Sequence, residues 1–353
     1  MNNIINTAHK TIGNRHPCYI IAEMSANHAG DLDRAIEIIH AAKEAGADCI
    51  KIQTYTPDTI TIDCNNEYFK IDNGTWKGET LYSLYGKAYT PWEWQPLLKK
   101  EADKVGIDFL STPFDNTSVD FLEEIGVEFY KIASFELVDI PLIKYVASKG
   151  KPMIISTGMA TLEEIKEAVI TAKNNGCKEI CLLKCSSSYP AIPKDMNLST
   201  IPDMAKRFKV ITGLSDHSLG SIAAITAVAL GAKVIEKHFC ISRDIENPDS
   251  SFSMEKFEFQ KMVEEIRQVE KAIGKKVYEI TDQENASKVF RKSVFIVKDI
   301  LSGEMFTEEN IRVIRPGWGL QPKYYEKIIG KHAACDLKRG QPLMKDLILE
   351  NDL

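Results

Sequence analysis

VITGLSDH, residues 210–217, and VIEKHF, residues 234–239, both run from β-branched apolar residues into a histidine. Each has the length and composition of a buried strand. Between them SLGSIAAITAVALGAK reads as a short apolar helix, so the stretch is one strand–helix–strand unit of a parallel sheet. Histidine is a poor filler for a dry core, yet two of only seven sit here, near corresponding strand ends. Working outward, the same alternation returns from residue 17 to about 274. Upstream lie PCYIIAEMS (17–25), CIKIQTY (49–55), DFLSTPF (108–114), FYKIAS (129–134), PMIISTG (152–158) and EICLLKCSSSY (179–189), which makes eight strand-like runs. Amphipathic stretches such as LDRAIEIIHAAKEAG and TLEEIKEAVITAKNNG alternate with them and end in glycine, a frequent helix C-cap. TLEE at 161–164 has the spacing of a capping box. Eight such units predict a (β/α)8 TIM barrel over residues 1–280, and the absence of GxGxxG after the first strand counts against a dinucleotide-binding sheet.

Two segments stand outside this rhythm. Between the second strand and its helix run about 35 residues, TPDTITIDCNNEYFKIDNGTWKGETLYSLYGKAY, rich in tyrosine and carrying Phe69 and Trp76. Loops this long inside a compact domain are commonly lids or binding loops, and a solvent-side excursion with its own aromatic cluster is the other reading. After a charged linker at roughly 275–288, short strand-like pieces and turns predict a small, mainly β domain over 288–353. Two of its turns share a pattern, Asp299 to Gly303 and Asp336 to Gly340.

The net charge of −6 excludes a general basic field for nucleic acid or an anionic membrane, so an anionic substrate has to be held by locally placed lysines and arginines. No apolar stretch is long enough to span a bilayer: the best candidate, IAAITAVALGAKVI, is interrupted by Gly231 and Lys233. The N-terminal residues are polar and lack a signal-peptide core. Eight scattered cysteines, with Cys49, Cys181, Cys185 and Cys240 in or beside strand-like runs, read as reduced thiols of a cytoplasmic protein. Cys181 and Cys185 have no second pair to complete a zinc site.

Polar residues near the C-terminal ends of barrel strands are read as site residues. By the two-residue period, Glu23, Ser25 and Asn27 share a face, as do Lys51 and Gln53, Ser215 and His217, and Glu236 and His238. Lys131 and Lys184 lie on strands four and six. Any one of these could be a structural ion pair or a hydrogen-bonded core residue, but each buried charge needs a partner, and so many at one end predict an active site. Strands seven and eight are neighbours in a barrel, so His217 and His238 can aim at one divalent metal with open positions. Ser134 ends strand four, and Ser156-Thr157-Gly158 leads into the capped helix, offering backbone N–H groups to a phosphate. A small phosphorylated, carboxylated substrate beside a metal is the chemistry expected.

With these residues in view, the chain resembles the sialic acid synthases of the nonulosonate group over nearly its whole length. IAEMSANHAGD, GADCIKIQTY, YKIAS, ISTGMAT, GLSDHS and EKHF carry the likeness in order, and RPGWGL with GKHAACDLKRG is similar to the antifreeze-like (SAF) domain that ends those enzymes. TYTPDTITID, WKGETLYSLYGKAYTPWEW, STPFD, KIASFELVDIPLI and NPDSSFSM look most like the branch that makes pseudaminic acid. The resemblance implies condensation of phosphoenolpyruvate with the open-chain aldehyde of an N-acetylated amino sugar, here 2,4-diacetamido-2,4,6-trideoxy-altropyranose, with phosphate leaving by C–O cleavage.

It also implies roles. His217 and His238 would hold the metal, commonly manganese, with Glu23 handling protons. Lys51, Gln53, Thr112, Lys131, Ser134 and Ser156 would bind phosphoenolpyruvate. Glu136, Ser187, Tyr189 and Asp249 would line the sugar end, and Arg315 would reach the site of the other subunit in a domain-swapped homodimer. Two departures stand out: Ser187 replaces an asparagine common in the sialic acid branch, and ENPDSS replaces a glycine-containing turn before Asp249. Three alternatives remain: a sister synthase making N-acetylneuraminic or legionaminic acid, a non-catalytic sugar- or surface-binding protein, and a barrel aldolase using Lys131 or Lys184 as a Schiff base.

Overall fold

A computed structural model describes residues 4–349, which divide after Gly274 into two compact units. The first unit is a closed parallel barrel. Its strands are β1 (Tyr19–Glu23), β2 (Cys49–Thr54), β3 (Asp108–Pro113), β4 (Tyr130–Ile132), β5 (Met153–Ser156), β6 (Ile180–Cys185), β7 (Ile211–Asp216) and β8 (Val234–Cys240). They pair in chain order, and β8 joins β1 on one side and β7 on the other, closing the cylinder. The outer helices are α1 (Leu32–Glu44), α2 (Gln95–Val105), α3 (Asn116–Glu124), α4 (Ile140–Ser148), α5 (Leu162–Asn174), α6 (Thr200–Phe208), α7 (Ile222–Ala229) and α8 (Lys256–Ile273). The capping box is present: Thr161 Oγ1 accepts from Glu164 N, and Glu164 Oε2 accepts from Thr161 N.

Alternation along each strand separates two cores. Ile20, Ala22, Ile50, Ile52, Ile155, Leu182 and Ile235 face outward, where they pack with helix residues such as Ile38, Leu122, Val146 and Ile266. Tyr19, Ile21, Cys49, Leu110, Ile154, Cys181, Leu183, Ile211 and Val234 fill the interior. Burying each of the larger aliphatic side chains contributes about 1.5–3 kcal/mol. Gly213 lies in this interior layer because nothing larger fits: a Cβ there would stand 2.2 Å from the Val234 carbonyl oxygen and 2.7 Å from Leu183. An N-terminal hairpin, Ile4–Asn6 with Thr11–Gly13, adds Ile5 and Ile12 to the same interior cluster. It is fastened by Asp108, which accepts hydrogen bonds from the Thr7 hydroxyl and the His9 N–H. The amino-terminal end of the barrel is thus plugged, and the polar ends of the strands stand at the opposite end.

The second unit, Lys275 onward, has a short antiparallel pair, Ser293–Ile296 with Ile311–Ile314, over a core that includes Val294, Phe306, Ile311, Leu337, Leu343 and Ile348. The two similar turns prove to be each other's partners. Asp299 accepts from Arg339 N and Asp336 accepts from Ser302 N, while Ile300 and Leu337 exchange both backbone bonds. Gly303 N donates to Ala333 O and Gly340 N to Ile296 O, so the halves are related by a local pseudo-two-fold. Both glycines have positive φ, +77° and +89°. The segment expected as a charged linker contains a short helix, Asp282–Ala286, capped by Thr281.

Candidate active site

The strand registers deliver the polar ends to one level. Glu23 pairs with Lys51 across β1 and β2, Gln53 with Thr112 across β2 and β3, and His238 with Glu23 across β8 and β1. The side chains form one buried charge cluster. Lys51 Nζ lies 2.6 Å from Glu23 Oε2 and 3.6 Å from Glu236 Oε1, and donates to Thr112 Oγ1 at 3.4 Å. Lys131 Nζ donates to both Glu236 oxygens, at 2.7 and 2.9 Å. Gln53 Nε2 donates to Glu23 and to Ser25 Oγ, both at 3.0 Å, and Ser215 Oγ donates to Glu236 at 3.3 Å. Two lysines and two glutamates therefore neutralise one another where water is largely excluded. Glu236, noticed in the sequence only as a neighbour of His238, is the node that both lysines share.

Environment separates the two carboxyls. Burial raises both, but Lys131 and Lys51 overcome it at Glu236, which is held down to about 2. At Glu23 burial wins, helped by the Glu236 charge and opposed by Lys51, so this carboxyl is raised. One is a fixed anion and the other a carboxyl whose hold on a proton is strengthened. Lys131 is lowered by burial despite Glu236, whereas Lys51, between two carboxylates, is raised against its own burial.

Beside the cluster, the end of β5 makes a polar cradle. Ser134 Oγ accepts from Gly158 N at 3.0 Å, and Ser156 Oγ is buried without a hydrogen-bond partner. A Cβ on residue 158 would meet Ser187 Oγ at 2.1 Å and Ser134 Oγ at 2.7 Å, so glycine is required for the close approach. An unpaired buried hydroxyl such as that of Ser156 is what an anion would satisfy.

The two histidines converge as expected, with ring centroids 5.4 Å apart. His217 Nδ1 is 3.1 Å from the Ser186 carbonyl and 3.8 Å from Cys185 Sγ. Burial opposes charge on both of the latter pair, yet their mutual attraction prevails, bringing Cys185 down to about 7 and raising His217. His238 is pushed well below its ordinary value by burial and by the positive neighbours His217, Lys51 and Lys237, so its lone pair is free. Its Nδ1 is buried and unpartnered, 3.8 Å from Asp249 Oδ2. Two adjacent imidazoles with an orphaned nitrogen fit a divalent metal. Among the described residues no group of three or more His, Cys, Asp or Glu is arranged to hold an ion.

The period-two reading fails just past β1. The chain leaves the sheet in a 3₁₀ turn, Ser25–His28, and Ser25 has φ +44°. This strained residue, costing about 1–3 kcal/mol, still turns its hydroxyl to Gln53. Lys184 is corrected too: Leu183 and Cys185 take the inward positions of β6, leaving Lys184 on the outer side, where Nζ donates to Cys185 O. It is no candidate for a Schiff base in this site.

The long loop after β2 is not a solvent excursion. Trp76 Nε1 donates to Pro248 O at 2.9 Å and Thr75 Oγ1 to Tyr189 O at 2.8 Å. Trp76 packs on Tyr189, whose ring lies 4.3 Å from that of His217, so the loop joins the aromatic wall beside the histidines. No local pattern reveals a contact between loops so far apart in sequence. Asp249 accepts from Ala26 N, which holds it near the β1 turn. Arg315 lies in the second unit, exposed, on a depression of about 840 Å3 with Lys288, Arg291, Lys292 and Lys323.

Glu136, half-buried with Oε2 unpartnered, is pushed up to about 7 by burial and the nearby Asp139. A carboxyl raised in the folded state favours folding in its protonated form. That contribution is complete below 4.5 and is lost as pH rises through 7. Glu136→Gln is therefore expected to gain melting temperature over the parent at alkaline pH, with the gain vanishing at acid pH. Thermal melts across that range check it, and a constant offset counts against the perturbed carboxyl.

Comparisons with known proteins agree on this architecture. The NeuB family model matches residues 38–278 and the SAF domain model residues 291–349. Pseudaminic acid synthase of Campylobacter jejuni subsp. jejuni serotype O:2 is 46% identical over 325 residues, 92% of this chain and 95% of that protein. N,N'-diacetyllegionaminic acid synthase of Legionella pneumophila is 37% identical over 343 residues, 95% of this chain and 96% of that protein. The crystal structure of N-acetylneuraminic acid synthetase from Leptospira borgpetersenii, in complex with citrate, superposes with a TM-score of 0.72 at 35% identity, covering 81% of this chain and 95% of that one. Among the described residues no helix is long and apolar enough to cross a membrane.

Proposed function

The chain belongs to the NeuB family, and from that premise we propose that it works as a pseudaminic acid synthase, condensing phosphoenolpyruvate with 2,4-diacetamido-2,4,6-trideoxy-altropyranose. The observation that carries the reading is the neutral Lys51–Glu23–Glu236–Lys131 cluster set against unpartnered Ser156 and His238. Such a site gains most by taking in a small anion and a polar partner.

Lys51 and Lys131, with Gln53, Thr112, Ser134 and Ser156, hold the phosphate and carboxylate of phosphoenolpyruvate. Glu136, Ser187, Tyr189 and Asp249 receive the open-chain sugar. C3 of phosphoenolpyruvate forms the new bond to the aldehyde carbon, and the carbonyl electrons become an alkoxide. Water adds at C2, and the C2–O bond to phosphate then breaks, leaving a 2-keto acid. Glu23, ionised in the neutral cluster, takes a proton from the water as it adds at C2 and passes it to the alkoxide, so the carboxyl ends as it began, while the proton of the new C2 hydroxyl leaves with phosphate. His217 and His238 would hold a divalent metal, taken as Mn2+, which when bound supplies a Lewis acid for the aldehyde or the water. Glu236 stays ionised and keeps the lysines in place.

Gly158→Ala is expected to lower kcat/KM for phosphoenolpyruvate by about 10- to 100-fold through displacement of the Ser134 hydroxyl. Steady-state kinetics with saturating sugar check this, and an unchanged value removes the cradle from the anion site.

The same proposal includes a cytoplasmic enzyme working as a swapped homodimer, with Arg315 reaching the partner's sugar site. Sedimentation tests the assembly, since a fully active monomer would sink it. The competing substrate reading, a legionaminic or N-acetylneuraminic acid synthase, shares every step. The altrose is preferred because identity is 46% to the pseudaminic relative against 37% to the legionaminic one, and because the aromatic loop borders the site. Phosphate release is measured with the altrose, N-acetylmannosamine and the legionaminic precursor, each with Mn2+ and with chelator. Turnover of the altrose alone, lost with chelator, is expected. Turnover of another sugar moves the substrate, and release with none overturns the enzyme reading.

A further inference from the structure

Immediately behind the two histidines, on the opposite face of the same strands, lies a second buried ion pair. Asp216 precedes His217 and Lys237 precedes His238, and the two are Cα partners across β7 and β8. Lys237 Nζ donates to Asp216 Oδ2 at 2.7 Å, with both side chains at most 1% exposed. The arrangement continues past His217. Lys237 Nζ also donates to Ser218 O at 2.6 Å, and Asp216 Oδ1 accepts from Ser218 N at 2.9 Å and Ser218 Oγ at 2.7 Å. The residues on both sides of His217 are therefore fastened to one ammonium, and that ammonium belongs to the residue next to His238.

The backbone pairing between the two strands leaves a gap that this fastening fills. The β7–β8 register covers Leu214 to Asp216 on one strand and Ile235 to Lys237 on the other, so the ladder between these two strands stops one residue short of each histidine; His238 keeps its pairing with Glu23 of β1, whereas His217 lies past the end of β7. A buried ion pair is a poor device for stability alone, since apolar residues of equal size generally serve as well or better. Its directional bonds do what apolar packing does not: they set the separation of two main-chain segments.

We propose that Asp216 and Lys237 are positioning residues that fix the spacing of His217 and His238 for a divalent cation. The inference rests on the metal reading above. The test is binding of Mn2+ alone to the full chain, followed by the electron paramagnetic resonance signal of the free ion, so it does not depend on turnover. Lys237→Met alone leaves Asp216 buried and unpaired and is expected to compromise folding. The informative variant is the double change Asp216→Asn with Lys237→Met, which removes both charges at nearly constant volume. It is expected to keep the native circular-dichroism spectrum and to bind Mn2+ about tenfold or more weakly, the scale of losing a group that orients a ligand. A folded double variant with parental affinity overturns the positioning role and leaves the metal site standing. A parent chain that binds no Mn2+ overturns the metal reading, and this inference with it. If the double variant loses its native spectrum, Ser218→Ala decides: weakened binding supports the role and unchanged binding overturns it.

Discussion

Glu236→Gln is expected to reduce kcat by about 10³-fold while leaving the affinity for phosphoenolpyruvate equal or tighter. In the parent, one carboxylate receives Lys131 through both oxygens and faces Lys51 at 3.6 Å. The amide keeps the shape and removes the charge. Two buried ammonium groups then repel each other with only Glu23 between them, and a buried pair broken on one side costs about 3–5 kcal/mol. The excess positive charge welcomes the anion, so binding does not report the damage. Turnover does, because the lysines no longer stand where charge develops. Melting without ligand should fall and should recover in saturating phosphoenolpyruvate, which supplies the missing negative charge. Parental kcat would show that Glu236 is a bystander.

His238→Ala is expected to lose about 10²-fold or more in turnover and to become insensitive to chelator. The reason is chemical. Burial and the surrounding positive charges favour the neutral form of this imidazole, which offers a lone pair. Alanine removes that donor while the lysine–glutamate cluster retains its partners. Residual activity that no longer responds to chelator separates loss of the metal from loss of the fold. A variant that remains both active and chelator-sensitive would mean that the ion is held elsewhere.

Much of this site is legible in the sequence because the barrel converts a period of two into a geometry. Glu23, Lys51, Lys131 and Glu236 all fall at inward positions near strand ends, and the closed sheet leaves them one place to go. His217 and His238 were legible for the same reason, since the last strands of a barrel are neighbours. Where the strand stops, so does the rule. Ser25 sits in a left-handed turn that alternation cannot foresee. Lys184 is one residue out of phase with the interior, which a fragment such as LLKCSS does not reveal without knowing which leucine faces in. The Asp216–Lys237 pair is hidden differently: each residue is visible beside a histidine, but only the register shows that they meet. The Trp76 bond to Pro248 has no local signature, being made between two loops that fold closure alone brings together.

The most direct test uses phosphoenolpyruvate labelled with ¹⁸O at the bridging oxygen, together with the trideoxy diacetamido altrose and Mn2+. The account predicts a nine-carbon keto acid without label and inorganic phosphate that carries it, because the C2–O bond breaks. Label retained in the keto acid, or labelled phosphate with no nine-carbon product, would contradict it.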